Sequence, residues 1–527
     1  MGLKVVIFLT WVLASLCCGV PTFFKGRRKK EKQGALSFHV VDICFHSYRF
    51  LASLFFFIIT FPCSFLYSYY LRSCANMYTF FFCSSLQITM RASGVGPFAW
   101  PMSSLKERML FLALHVLVHI CAIYLWSLVR ATMNMISRRK SDEDHGKIEV
   151  LTNGAKAREF FSLGAVESLW YHSPPYNGKI NTILSALRPN WPIAYNREVV
   201  DGIDGNPICL DWLLADETRG DGRGILVILP GLASWSQTNY VQRCVLQAHR
   251  YGIHCCVFNC RGLGDTPLTT PRLISASWTG DLHKIFSTAL SRDVLSSRFG
   301  AAAENIWGAG FSLGGVIMTK FLKECGNTDK APSPLDAAII INSPLDMEET
   351  SRTLNEPKNA MYQRRMISNV IQFVSKHIDV LKNVAEVDVK DFDNDLLKFM
   401  KSLRSLQEFD LYINAPHNGF STVREFYDAV NVLTSLKHCK IPMLCLIAQD
   451  DPVIGLVPRD SLTDVISKND LVAFVRFPYG GHLGFCKTPL EEWNGDPSLM
   501  EIFVCDLISS RGHTKSEKEQ SGCESLY

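Results

Sequence analysis

Asn305-Ile306-Trp307-Gly308-Ala309-Gly310-Phe311-Ser312-Leu313-Gly314-Gly315-Val316 is the stretch on which the fold turns. Asn305-Ile306-Trp307 is short and apolar, like a buried strand. From Val316 to Leu322 the apolar residues fall at helical spacing. Between them lies G-x-S-x-G, as Gly310, Ser312 and Gly314. Strand, sharp turn and helix are the context that makes this pattern a nucleophile elbow. Such a turn forces strained backbone angles on the serine. Side chains at the flanking positions would clash, so glycine is needed there.

A serine hydroxyl is a weak nucleophile near neutral pH. It needs a base within hydrogen-bond reach, and the base needs an orienting acid. The chain order expected on an elbow-bearing sheet is serine, acid, histidine. The histidines after Ser312 are His377, His417, His438, His482 and His513. His482 sits in Gly480-Gly481-His482-Leu483-Gly484-Phe485, on the loop after the last apolar strand, where glycines let an irregular loop present the ring. Asp451, in Gln449-Asp450-Asp451-Pro452, closes the preceding strand and is the expected acid, with Asp450 capping the turn. Asp346 also follows a strand end and is the runner-up. The backbone N–H groups of Leu313 and of Leu232, in Pro230-Gly231-Leu232, are the expected donors to an oxyanion.

Working outward, the texture from about residue 150 is α/β. Strands are expected at 196–204, 208–214, 225–229, 254–258, 337–341, 443–448 and 472–477, with a helix over 240–250. Several of these strands are continuous apolar runs, as in a parallel sheet buried on both faces. The alternation stops at 345–437. There Ile367, Val370, Ile371, Val374, Ile378 and Leu381, and then Leu396, Phe399, Met400, Leu403 and Leu406, keep helical spacing. That interval is expected to be an inserted helical cap. The fold class is therefore α/β, a mostly parallel sheet with helices on both faces. It would occupy 150–508, with a polar, disordered tail over 509–527.

The first 149 residues differ. Residues 5–24 carry no charge and are followed by Lys25, Arg27, Arg28, Lys29 and Lys30, the pattern of a signal anchor. Residues 50–71 are a second uncharged run and 109–129 a third, each long enough to span a bilayer. The run at 73–90 is more polar. Residues 1–149 are expected to be a membrane-anchoring region, with the endoplasmic reticulum as its membrane. Over all 527 residues the net charge is +4 and 47% are apolar, so nothing points to nucleic acid. The 18 cysteines form no CxxC pair, and no His/Cys spacing suits zinc; neither metal nor cofactor is expected.

The chain resembles the α/β-hydrolases of the abhydrolase-domain type, family four. That group takes in YheT-like hydrolases, medium-chain ethyl ester synthases/esterases, and membrane-anchored phospholipases and acylglycerol lipases. The resemblance runs from about 195 to 487. It is carried by Leu229-Pro230-Gly231-Leu232, Phe258-Asn259-Cys260-Arg261-Gly262, Thr270-Pro271-Arg272, Thr279-Gly280-Asp281-Leu282, the Ser312 turn, Asn342-Ser343-Pro344-Leu345-Asp346, Phe409-Asp410 with Phe420, Asp450-Asp451-Pro452 and the His482 loop. It implies the α/β-hydrolase fold, the triad Ser312, Asp451 and His482, and an acyl lipid or fatty acyl ester as substrate. The chain departs from the family in its several N-terminal apolar runs. It also lacks the H-x-x-x-x-D motif of some members: none of its 14 histidines has an aspartate five residues on. The expected function is a membrane-anchored serine esterase or lipase. One alternative is acyl transfer to an alcohol. Another, of a different class, is a non-catalytic lipid-binding scaffold on a hydrolase fold.

Overall fold

The structure, a computed structural model, describes residues 147–167, 177–215, 222–326, 333–381, 395–487 and 495–511. The apolar runs at 5–24, 50–71, 73–90 and 109–129, and the tail beyond 511, lie outside these. Among the described residues no helix is long and apolar enough to cross a membrane.

Nine strands form one sheet: β1 (Glu149–Leu151), β2 (Asn196–Asp201), β3 (Pro207–Leu213), β4 (Ile225–Leu229), β5 (His254–Asn259), β6 (Ile306–Phe311), β7 (Ala337–Ile341), β8 (Met443–Ala448) and β9 (Val472–Phe477). Their order is β1-β9-β8-β7-β6-β4-β5-β3-β2. The six strands from β9 to β5 run parallel, and β1, β2 and β3 pair antiparallel at the edges. The strands expected at 225–229, 337–341, 443–448 and 472–477 form within those bounds. The expected strand over 196–204 ends at Asp201, because Gly202 to Gly205 turn back, with the Gly202 N–H donating to the Asn206 carbonyl at 2.8 Å. The elbow strand runs longer than Asn305-Ile306-Trp307 suggests. Gly308 and Gly310 keep it close to the helix behind it; a Cβ on Gly310 would come within 2.5 Å of the Gly315 Cα. β1, three residues at the edge, went unexpected and straddles the 149/150 boundary.

Both sheet faces are covered. Leu226 and Ile228 point to one apolar cluster, shared with the helix α2 (Asn239–Arg250) and the helix Leu499–Ser509. Val227 and Leu229 point to the other, shared with α3 (Leu313–Gly326) and Leu462 of the helix Arg459–Lys468. Each fully buried aliphatic side chain contributes about 1.5–3 kcal/mol, so a run like Ile225–Leu229 has one stable place, the centre of the sheet.

The expected cap helices form as Met347–Leu354 (α4), Ala360–Lys376 (α5), Ile378–Leu381 and Leu396–Ser402. Ile367, Val370, Val374, Leu381, Met400, Leu403, Phe409 and Ile413 bury against one another in an apolar cluster separate from the two sheet faces. Leu268 and Leu273, from the loop after β5, join it. The end of the 345–437 interval behaves differently. Phe426, Tyr427, Val432 and Leu436 pack on the sheet, in the cluster that holds α3.

After β4 the chain moves to one side for β5, then crosses to the other side for β6. Crossovers that leave a strand in opposite directions open a crevice at the strands' carboxyl ends. Pro230, Ser312, Asn342, Asp450 and Gly480 all follow directly on, or within a few residues of, such ends.

Candidate active site

Ser312 stands between β6 and α3 with φ +51°, the strained geometry expected of the elbow. A Cβ on Gly314 would lie 2.1 Å from the Leu229 carbonyl oxygen, and one on Gly315 would lie 1.9 Å from the Ser343 Oγ. Only glycine lets the turn approach β4 and the loop after β7 this closely.

The Ser312 Oγ lies 3.1 Å from His482 Nε2. His482 Nδ1 lies 2.9 Å from Asp451 Oδ2. The Asp451 carboxylate is buried, and its other oxygen accepts the N–H groups of Val453 (2.8 Å) and Ile454 (3.2 Å). Three residues from three strand ends, 31 to 170 positions apart in sequence, thus form one hydrogen-bonded row.

Asp346 is elsewhere. It caps α4, its Oδ1 accepting from the amides of Glu348 (3.0 Å) and Glu349 (3.2 Å). Asp450 also reaches the histidine loop, accepting the Gly481 N–H at 2.9 Å. Burial pushes the Asp450 carboxyl up, and the neighbouring Asp451 adds to this. His377 and His417 stay away from Ser312. Burial lowers the pKa of both, His417 to about 4 with help from Arg272 and Arg261. His377 Nε2–H donates to the Gly262 carbonyl at 2.8 Å, tying α5 to the loop after β5.

Neither the Leu232 nor the Leu313 N–H donates to any group among the described residues. The Leu232 loop lies against the serine: a Cβ on Gly231 would be 3.1 Å from the Ser312 Cβ. Tyr240, on α2, accepts the Gly231 N–H at 2.8 Å, and its ring packs tilted against Phe311 with centroids 5.1 Å apart. Farther along the same loop, Ser236 donates to buried Asp211, which also takes Asn259 (2.8 Å) and both arms of Arg197. The loop is fastened at both ends, with Leu232 between.

Several positioning contacts had no role in the sequence reading. Asn342, at the end of β7 with φ +42°, donates from one Nδ2 to Asp451 Oδ2 (2.9 Å) and to the Gly481 carbonyl (2.6 Å). The helix α1 (Gly178–Ala186) cradles the histidine loop: the His482 N–H donates to Thr182 Oγ1 at 2.8 Å, and Arg188, just beyond the helix, donates to the Gly484 carbonyl at 2.6 Å. Asn177 caps α1 through the Ile180 N–H, and that Asn-Gly start was its one legible signal. Among the described residues seven non-glycine residues have positive φ. Five of them, Ala233, Ser312, Asn342, Leu483 and Phe485, lie in these loops. Each such residue costs about 1–3 kcal/mol and persists only where the surroundings over-determine it, as they do at functional sites.

The Cys260-Arg261-Gly262 and Thr279-Gly280-Asp281 motifs meet in a structural knot. Buried Arg261 pairs with Asp281 (2.8 Å) and Asp204 (2.9 Å), fixing the loop that carries Leu268 and Leu273 into the cap. Burial works against the Asp204 charge, but hydrogen bonds from Arg261 and Thr270 hold its pKa at about 2. Cys255 and Cys256 are buried in β5, and Cys260 has its thiol pushed up to about 12 by burial.

No protein-family model matches the chain. Among curated proteins it is similar to embryogenesis-associated protein EMB8 of Picea glauca, 28% identical over 348 residues that cover 63% of this chain and 71% of that protein. It is similar to monoacylglycerol lipase of Saccharomyces cerevisiae, 28% identical over 298 residues, 55% of this chain and 62% of the lipase. Phospholipase ABHD3 of Homo sapiens is 29% identical over 304 residues, 56% of this chain and 67% of the phospholipase. The chain thus matches a little under two thirds of the yeast lipase's length and about two thirds of the human phospholipase's.

Proposed function

The chain is an α/β-hydrolase of the abhydrolase-domain type and a carboxylic ester hydrolase, and on that premise we propose that it is a membrane-anchored serine esterase cleaving acyl lipids through an acyl-serine intermediate. The observation that carries this reading is the row Asp451–His482–Ser312 beside two amides that have no partner among the described residues. His482 Nε2 takes the Ser312 proton as Oγ attacks the ester carbonyl, while Asp451 holds Nδ1–H and stabilises the imidazolium. The Leu313 and Leu232 N–H groups receive the oxyanion; such a donor is worth about 100-fold or more in rate. His482 then protonates the leaving alcohol, and water, deprotonated by the same ring, releases the acyl group.

The names of the yeast and human relatives support an acylglycerol or phospholipid as the ester. The cap supports an acyl chain at this site, since its apolar cluster includes Leu232 at the edge of the oxyanion loop. The apolar runs before residue 130, each long enough to span a bilayer, supply the anchor. The test is labelling of the full chain with a fluorophosphonate probe. Wild type labels and Ser312→Ala does not; labelling that persists in the variant rejects Ser312 as nucleophile.

A further inference from the structure

α1 and the start of α5 lie side by side: the Tyr362 hydroxyl donates to the Lys179 carbonyl at 3.0 Å, and Lys179 Nζ donates to the Lys358 carbonyl at 3.3 Å. Each contributes large apolar side chains to solvent. On α1 and its end, Ile180, Ile183 and Leu187, at i, i+3 and i+7, are 38%, 38% and 73% exposed. On α5, Met361 is 55% exposed. These residues follow one helical face, and burying them in the protein would have been the ordinary outcome.

Cations flank Met361 along the chain. Lys358 precedes Met361 by one turn, and Arg364 and Arg365 follow it by one turn. Both arginines are exposed, and neither takes part in a hydrogen bond or ion pair among the described residues. Lys358 pairs with Glu356 at 2.5 Å. Exposed apolar side chains bordered by two arginines that have no ion-pair partner among the described residues fit the boundary between lipid headgroups and acyl chains, with anionic headgroups opposite the cations. The same surface abuts the candidate active site. Thr182, between Ile180 and Ile183, accepts the His482 N–H, and Tyr362 packs with Val453 and Ile454, whose amides hold Asp451.

We propose that the joined surface of α1 and α5 docks on an anionic lipid surface, setting the active-site mouth against the membrane that holds its substrate. This rests on the esterase reading above. It goes further by assigning the docking to a folded face separate from the N-terminal apolar runs, and by predicting a dependence on lipid charge.

The experiment uses the full chain with a lipid ester in vesicles of phosphatidylcholine, alone or with about 30 mol% phosphatidylserine. A water-soluble short-chain ester is the control. An Arg or Lys at an anionic surface favours binding by about fivefold. Wild type is therefore expected to hydrolyse the lipid ester at least about fivefold faster in the anionic vesicles at low salt, with the advantage fading as salt is raised. Arg364→Ala with Arg365→Ala brings the ratio close to one and leaves the soluble ester untouched, whereas Arg364→Lys with Arg365→Lys keeps the ratio. Ile183→Ser with Leu187→Ser slows vesicle hydrolysis in both compositions. An anionic advantage that survives the paired alanine change, or is lost in the paired lysine change, overturns the proposal. So does a solution dimer that the alanine pair disperses while the vesicle ratio stands, which would give the face to a second copy of the chain. A wild type inactive on both esters rejects the esterase reading instead.

Discussion

Asn342 is the side chain whose removal discriminates best between a working site and a well-packed loop. Its single amide nitrogen serves two acceptors, Asp451 Oδ2 at 2.9 Å and the Gly481 carbonyl at 2.6 Å, so it joins the acid to the loop that presents His482. A hydrogen bond to a charged group is worth about 1.5–3 kcal/mol. At about 1.4 kcal/mol per tenfold, losing it from the transition state alone predicts a fall in kcat of about 10- to 150-fold. Asn342→Gly suits the φ of +42° and removes the donor without new strain. Asn342→Asp keeps the shape but sets a second carboxyl beside Asp451 in a buried place. Burial and the Asp451 charge hold the new carboxyl protonated, so near neutral pH it donates in place of the amide, and kcat should fall as pH rises far enough to ionise it. In the glycine variant kcat should fall without that pH dependence. The assay is hydrolysis of a soluble short-chain ester from acidic to alkaline pH, with thermal unfolding run on the same samples. A glycine variant within about threefold of wild type in kcat, with lowered stability only, would falsify the positioning role.

Three further outcomes are expected. Asp451→Asn should cut kcat by about a thousandfold or more, as in other Ser-His-Asp sites, whereas Asp346→Ala should cost about 1 kcal/mol of stability by uncapping α4 and leave kcat within about twofold; equal losses of kcat would refute the choice of acid. Gly178→Ala should destabilise the domain by about 1–3 kcal/mol or more and depress activity together with it, because its Cβ would lie 1.8 Å from the Asp450 carbonyl oxygen; unchanged melting and activity would refute that packing. Asp410 is buried between Asn414 and Tyr427, and burial raises its pKa to about 6. A raised carboxylate favours the fold at low pH and loses that advantage as pH climbs from about 4, its unfolded value, through 6. Asp410→Asn should flatten this slope in urea unfolding and gain up to about 3 kcal/mol above pH 6; a slope unchanged by the substitution would refute it.

The central strands were legible because both faces of the sheet are covered. Ile225–Leu229, Ala337–Ile341 and Met443–Ala448 are apolar at every position and end at proline, asparagine or glutamine, so composition alone bounds them. Glu149–Leu151 was not legible, since three mixed residues at an edge carry no period. Ser312, Asp451 and His482 could be picked out because each follows a strand in the expected order. Asn342 also ends a strand, but its dual bond depends on how far the His482 loop reaches back, which is a tertiary matter. Helical spacing in the cap showed that faces would be buried, not against what. Ile367 found the cap's own core, while Phe426 found the sheet.

That independent core makes the cap a replaceable cassette. Its side chains pack on one another and reach the surroundings of Ser312 through Leu232, through the loop bearing Leu268 and Leu273, and through Tyr362 against Val453 and Ile454. Ile367, Val370 and Met400 are buried in that cluster, apart from the two clusters that cover the sheet. Over evolutionary time residues of that cluster can be traded among themselves, with the strained loops around Ser312 left as they are.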